Sequence, residues 1–249
     1  MVGAASIYDG IGRGYARHRR PDARIAAQVE RALGAARTVV DVGAGTGSYE
    51  PDDRRVVAVE PSLVMTAQRA AGAAPVVRAV AEHLPFPDGA FDAAMAVLTI
   101  HHWSNPVAGL REMTRVARGV AVLTFDRVVH AAFWMFTEYL PEAAALPSAR
   151  VVDPETVAEV IGADRIEPVL VPSDCVDAFN VAFWRRPAAY LDPEVRACMS
   201  GIALLSPDLV TTRMERLRVD IADGTWRARH GDLLHQDTFD GGLRLVVRS

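Results

Sequence analysis

The chain has 249 residues, with 27 Lys plus Arg against 31 Asp plus Glu, a formal net charge of −4 and 50% hydrophobic content. That is enough apolar material for one enlarged domain with a sizeable core, and the acidic balance speaks against nucleic acid, which favours a basic stripe able to neutralise several phosphates. Every basic residue is arginine, and the absence of lysine excludes a lysine Schiff base and a Walker lysine. No apolar run approaches the roughly 18 residues of a membrane span. Arginines also follow the first segment where a secretory signal would have its apolar stretch, so a cytoplasmic location with no membrane partner is expected. Cys175 and Cys198 are too few for a disulfide framework and lack metal-ligand spacing, so both read as buried or semi-buried apolar residues.

In chain order, Tyr8-Asp9, Tyr15, Arg19 and Pro21 precede a short apolar run, Thr38–Val42, that reads as a buried strand. Gly43, Gly45 and Gly47 follow, letting the backbone turn sharply and approach a ligand where a Cβ would collide. Only Ser48–Arg54 with Pro51 separates this turn from a second strand, Arg55–Val59, so any helix between them is very short or absent. The second strand ends in Glu60, placed to accept hydrogen bonds from ribose hydroxyls. A helix carrying Met65, an apolar run over Val76–Glu82, a turn at Pro87–Asp92 and a strand over Ala93–Leu98 come next. His101-His102-Trp103 stand just past that strand, a helix spans Asn105–Val116, and a fifth strand spans Val120–Phe125.

Dinucleotide folds want G-x-G-x-x-G, whereas Gly43-Ala44-Gly45-Thr46-Gly47 brings its third glycine one residue early, which weakens a pyrophosphate reading. With Asp41 ahead of it, the turn resembles the first motif of class I S-adenosylmethionine-dependent methyltransferases. Val56–Ser62 resembles the second strand of that family with its ribose-binding acid, and Pro87–Trp103 resembles the small-molecule branch that includes the ubiquinone and menaquinone biosynthesis methyltransferases. The motifs span roughly residues 5 to 126, and the remainder matches only loosely. The resemblance implies S-adenosylmethionine as cofactor, held by Tyr8, Tyr15, Arg19, Asp41, Gly43, Ala44, Gly45, Gly47, Glu60, Pro61, Met65, Ala81, Glu82 and Leu98. Arg19 would pair with its carboxylate, because a guanidinium fork matches that group in a bidentate way.

Methyl transfer needs few catalytic groups, since the sulfonium is already activated and the protein has mainly to align a nucleophile, exclude water and accept a proton. His102 is the first candidate for the base or orienting group and His101 the second, each with an ordinary pKa suited to proton abstraction near neutrality. About a hundred residues then intervene before the final strands, far more than the family core requires. Phe133–Tyr139, Pro154–Ile161 and Asp192–Leu205 read as helical and Glu167–Val171 as an extra strand. Trp103 and the cap residues Trp134, Tyr139, Phe179 and Trp184 are candidate walls for an acceptor, with plain core packing as the alternative. A helix Pro207–Ile221 capped by Ser206, then strands Gly231–Gln236 and Gly242–Val247, would return to the core. His230, Asp232, His235 and Asp237 read as a surface hairpin rather than a metal site, and no metal is expected.

The expected architecture is an α/β, Rossmann-like sheet of seven mostly parallel strands with an antiparallel last strand. It comprises one methyltransferase domain: a lid at 1–37, a cofactor-binding core at 38–126, a helical cap inserted at 127–205 and a return to the core at 206–249. The expected reaction moves a methyl group from S-adenosylmethionine to an oxygen, carbon or nitrogen of a small metabolite. The competing readings are a non-methylating cyclase or pericyclase on the same fold, a macromolecule methyltransferase and a nicotinamide-dependent reductase. The acceptor and the oligomeric state lie beyond the sequence.

Overall fold

A computed structural model describes residues 14–144 and 152–249. Tyr8 lies outside the described residues. Among the described residues nine strands form: β1 Thr38–Val42, β2 Arg55–Val59, β3 Val76–Val77, β4 Phe91–Val97, β5 Ala117–Phe125, β6 Arg165–Pro168, β7 Val171–Pro172, β8 Thr238–Phe239 and β9 Leu243–Arg248. Seven of them make one sheet in the order β3-β2-β1-β4-β5-β9-β6, and β7 with β8 make a separate two-stranded ribbon. Strands β1 to β5 pair in parallel, and β9 runs antiparallel between β5 and β6.

β1 is buried on both faces except at its first residue, which is why it reads as a continuous apolar run rather than an alternating one. Val40, Val42, Ala94, Ala96, Val120 and Val122 face one way, onto the helices Pro106–Val116 and Pro154–Ile161. Val39, Ala93, Met95, Ala121 and Leu123 face the other way, onto the helix Ala23–Ala32 and a large aromatic layer drawn from Phe133–Leu140 and residues 169–226. The sheet is therefore sandwiched, with the added segments thickening one layer. β6 pairs with β9 over Arg165–Pro168. Within 127–205, the stretch 154–168 thus belongs to the sheet and its helical cover, whereas Phe133–Leu140 and residues 169–202 contribute to the aromatic layer.

Several elements differ from expectation. The strand expected over 76–82 closes after Val77, where the chain leaves this edge of the sheet and turns inward so that Ala81 is buried. The helix expected over 133–139 is a single π-helical turn, Met135–Tyr139, closed by Leu140 N–H to the Met135 carbonyl at 2.7 Å. The piece expected over 192–205 is two short helices, Pro193–Ala197 and Ser200–Ala203. Residues 231–235 form a 3-10 turn instead of a strand, so no hairpin exists there, and His230 faces Glu138 at 2.9 Å. The loop Ser48–Arg54 holds no helix. Among the described residues, no helix is long and apolar enough to cross a membrane.

Candidate active site

Strand order reverses between β1 and β4, and ligands of open α/β sheets lie at the carboxyl ends of the strands beside such a reversal. A cavity of about 140 Å³ opens there. Its floor is the glycine turn, with positive φ at Gly43, Gly45 and Gly47. A Cβ on Gly43 would come within 2.3 Å of the Thr99 hydroxyl oxygen, so glycine is required by both torsion and space. The Glu60 carboxylate closes one side: Oε2 accepts from Gly45 N–H at 2.9 Å and Oε1 from Ser62 N–H at 2.8 Å. Each carboxylate oxygen offers two lone pairs, so Glu60 can brace the loop and still accept from a diol.

Tyr15, Arg19, Asp41, Gly43, Ala44, Gly45, Glu60, Pro61, Met65, Ala81, Glu82, Leu98, His102 and Trp103 all line this cavity. Trp103, expected against acceptor, lines this same cavity with the residues expected to hold the cofactor. Its ring occupies the space left by Gly109, where a Cβ would lie 2.5 Å from it. Gly47 sits behind the turn against Arg69 and Glu50, which pair with each other at 2.5 Å. Glu82 also accepts from Asn105 N–H at 2.8 Å and steadies the start of the helix Pro106–Val116. Asp41 is buried. Desolvation first, then Glu50 and, less strongly, Glu60, push its carboxyl well above the usual carboxylate range despite Arg69 nearby. Leu98, at the end of β4, is the one non-glycine residue with positive φ (53°) among those described, a strained torsion of the kind found beside ligands.

His101 and His102 come from a 3-10 turn, Ile100–His102, that follows β4. His102 lines the first cavity. His101 lines a second, of about 80 Å³, with Phe125, His130, Phe136, Asn180 and Ser200. Between the two lies a narrow space of about 20 Å³ bounded by Arg19, Leu98, both histidines, Phe125 and Phe179. Burial, with His130 and Arg19 adding to it, lowers His101 to about 4. Burial, then His101 and Arg19, take His102 well below its ordinary 6.5. The expectation of histidines poised to titrate near neutrality is thus corrected: both are uncharged at physiological pH.

Of the expected cap wall, Phe179 alone reaches these spaces. Tyr139 and Trp184 are fully buried and Trp134 nearly so, lining none of the cavities described. Their polar tips are satisfied internally: Trp134 Nε1 donates to the Trp184 carbonyl at 2.8 Å, and Tyr139 donates to Asp220 at 2.7 Å. Asp177 and Tyr49 were missed by sequence reasoning. Asp177 is fully buried and bonds both Arg19 and Tyr49. The one available sign was the missing helix after the glycine turn, where Tyr49 points inward to Asp177. Among the described residues, no three His, Cys, Asp or Glu side chains gather so as to hold a metal ion.

Residues 40–125 match the model of a methyltransferase domain. The 2-methyl-6-phytyl-1,4-hydroquinone methyltransferase 2 of Oryza sativa is 31% identical over 107 residues, 39% of this chain and 31% of that protein, so the chain spans about a third of its length. The demethylmenaquinone methyltransferase of Mycobacterium tuberculosis is 30% identical over 204 residues, covering 73% of this chain and 86% of that protein. The chain belongs to the class I S-adenosylmethionine-dependent methyltransferases. A solved structure from Anabaena variabilis, described as a methyltransferase from an antibiotic biosynthesis pathway, superposes on this chain with a TM-score of 0.85. It is 33% identical over 93% of this chain and 99% of that one. The cofactor of that family is S-adenosylmethionine, and a cavity with a Cβ-free floor and a buried carboxylate facing it suits a nucleoside with a vicinal diol.

Proposed function

We propose that this methyltransferase methylates a small metabolite, at oxygen, carbon or nitrogen, in the second cavity beneath the cap. The observation that carries the reading is the contact of His101 with His102: their rings meet with one in the first cavity and the other in a smaller one that Phe125, His130 and Phe136 also line. When bound, S-adenosylmethionine supplies a methyl group on a sulfonium. The chain's part is to seat the nucleoside on Gly43–Gly45 and Glu60, and to exclude water with Tyr15, Arg19 and Phe179. His101 and His102, both neutral, orient the acceptor by hydrogen bonding, and either ring can take a proton only transiently because burial disfavours its charged form.

The second cavity offers ring faces to a planar acceptor, with Arg127 also on its lining. Phe125 and Phe136 flank His130, with centroids 4.3 and 5.1 Å away, and Asn180 and Ser200 supply hydrogen-bonding groups. The rice relative is named for a hydroquinone and the mycobacterial one for demethylmenaquinone, so hydroquinone rings are the first acceptors to try. A cavity of this size supports a small molecule over a macromolecule as acceptor. The test is incubation with methyl-labelled S-adenosylmethionine and a panel of hydroquinones, phenols and amines, with release of S-adenosylhomocysteine followed alongside labelled product. Product without demethylated cofactor would favour a non-methylating cyclase.

A further inference from the structure

Three separate parts of the chain converge on Arg19. Its Nε donates to Asp177 Oδ1 at 2.5 Å and its Nη2 to Asp177 Oδ2 at 3.3 Å, while Nη1 donates to the Tyr15 hydroxyl. Asp177 takes a further bond, from the Tyr49 hydroxyl, at 2.9 Å. The backbones are clasped as well: Ala178 N–H donates to the His18 carbonyl at 3.0 Å, and the Ser48 hydroxyl to the Arg19 carbonyl at 3.2 Å. Desolvation opposes the charge on Arg19, yet Asp177, Tyr15 and Tyr49 hold its pKa above the ordinary value. Buried ion pairs add little net stability over apolar replacements, and this one stands at the wall of a ligand cavity.

A guanidinium carries five N–H groups in a fixed fork. Three of those on Arg19 are engaged among the described residues, which leaves one on each terminal nitrogen, the pair that a carboxylate matches. We propose that Asp177 is a positioning residue that fixes Arg19, with Tyr49 behind it, so that those two N–H groups meet the carboxylate at the amino-acid end of the cofactor. This rests on the reading of the first cavity as the cofactor site. Phe179 and Asn180, two and three residues beyond Asp177, border the narrow space beside His101. The same stretch therefore ties the cofactor's seat to the acceptor's.

The test compares two probes: S-adenosylhomocysteine, and 5′-methylthioadenosine, which keeps the nucleoside and thioether but has no amino-acid carboxylate. Calorimetric titrations of wild type and Asp177→Asn are expected to show about 10- to 100-fold weaker binding of S-adenosylhomocysteine in the variant, from the loss of charge-assisted bonds. Methylthioadenosine affinity should stay within about 3-fold. Equal losses for both probes, or none for either, overturn the proposal. Tyr49→Phe keeps the ion pair and removes one bond to Asp177. It should shift the ratio of the two affinities in the same direction by roughly 3-fold, and an unchanged ratio counts against the role. Should wild type bind neither probe, the cofactor-site reading falls with it, whereas wild-type binding with a constant ratio across the variants sinks the positioning role alone.

Discussion

His101 and His102 stand with ring centroids 3.9 Å apart, tilted by 48°, and each lines a different cavity. Two imidazolium ions at that separation, both desolvated, would repel strongly, so the arrangement works only with neutral rings. Adjacent residues point into adjoining spaces because the 3-10 turn at Ile100–His102 rotates successive side chains by roughly a third of a turn.

His101 and His130 titrate at about 4 in the folded protein, mainly through burial, and His102 lies well below its ordinary 6.5. The unfolded chain therefore binds protons between about pH 6.5 and 4 that the folded chain does not, so stability is complete above about 6.5 and falls as pH drops through that window. Tm should decline steeply from about pH 6 to about 4.5. The decline should be shallower in a His101→Gln, His130→Gln double variant, which removes two of the three groups. Identical pH profiles for variant and wild type would refute the assignment.

Gly43→Ala and Gly72→Ala separate torsion from space. Both glycines have positive φ, 75° and 89°, but an added Cβ meets Thr99 at 2.3 Å in the first case and nothing within 4 Å in the second. Each change should cost about 1–2 kcal/mol for the torsion. Gly43→Ala should additionally abolish binding of S-adenosylhomocysteine, which Gly72→Ala leaves intact. Comparable affinities in the two variants would remove the glycine turn from the cofactor site.

The aromatic residues of the cap divide in the same manner. Trp184 is fully buried, stacks on Phe239 at 5.3 Å and donates to the Val171 carbonyl at 3.2 Å. Trp184→Ala should cost about 3–5 kcal/mol, read by denaturant unfolding. Phe179→Ala should instead raise the acceptor KM with a smaller loss of stability. An active, stable Trp184→Ala enzyme with altered acceptor preference would reverse these roles.

What could be read from the chain was local. Gly43, Gly45, Glu60 and the first two strands sit within 25 residues of one another, and their torsional and burial demands are written into residue type. The antiparallel terminal strand was readable too, because Leu243–Arg248 is β-rich and follows a glycine turn. Asp177 was invisible, since its partners lie 158 and 128 residues away and a lone aspartate carries no periodic signal. The cap aromatics left two readings open for a related reason: a stripe of large rings suits a substrate wall and a core alike, and Trp134 packs on Tyr190 and Trp226 in the core. The position of the histidines just past β4 was readable from the chain. Their charge was not, because desolvation is a property of the packed molecule.

Calorimetric titration with S-adenosylmethionine of wild type and of Glu60→Ala tests the central claim most directly. The Glu60 carboxylate both braces Gly45 and Ser62 and faces the cavity, so its removal takes away an acceptor for the ribose and the anchor of the loop together. Saturable one-site binding to wild type, weakened by about 100-fold or more in Glu60→Ala, is the predicted result. Absence of binding to wild type, or equal affinity in the two proteins, would contradict the account.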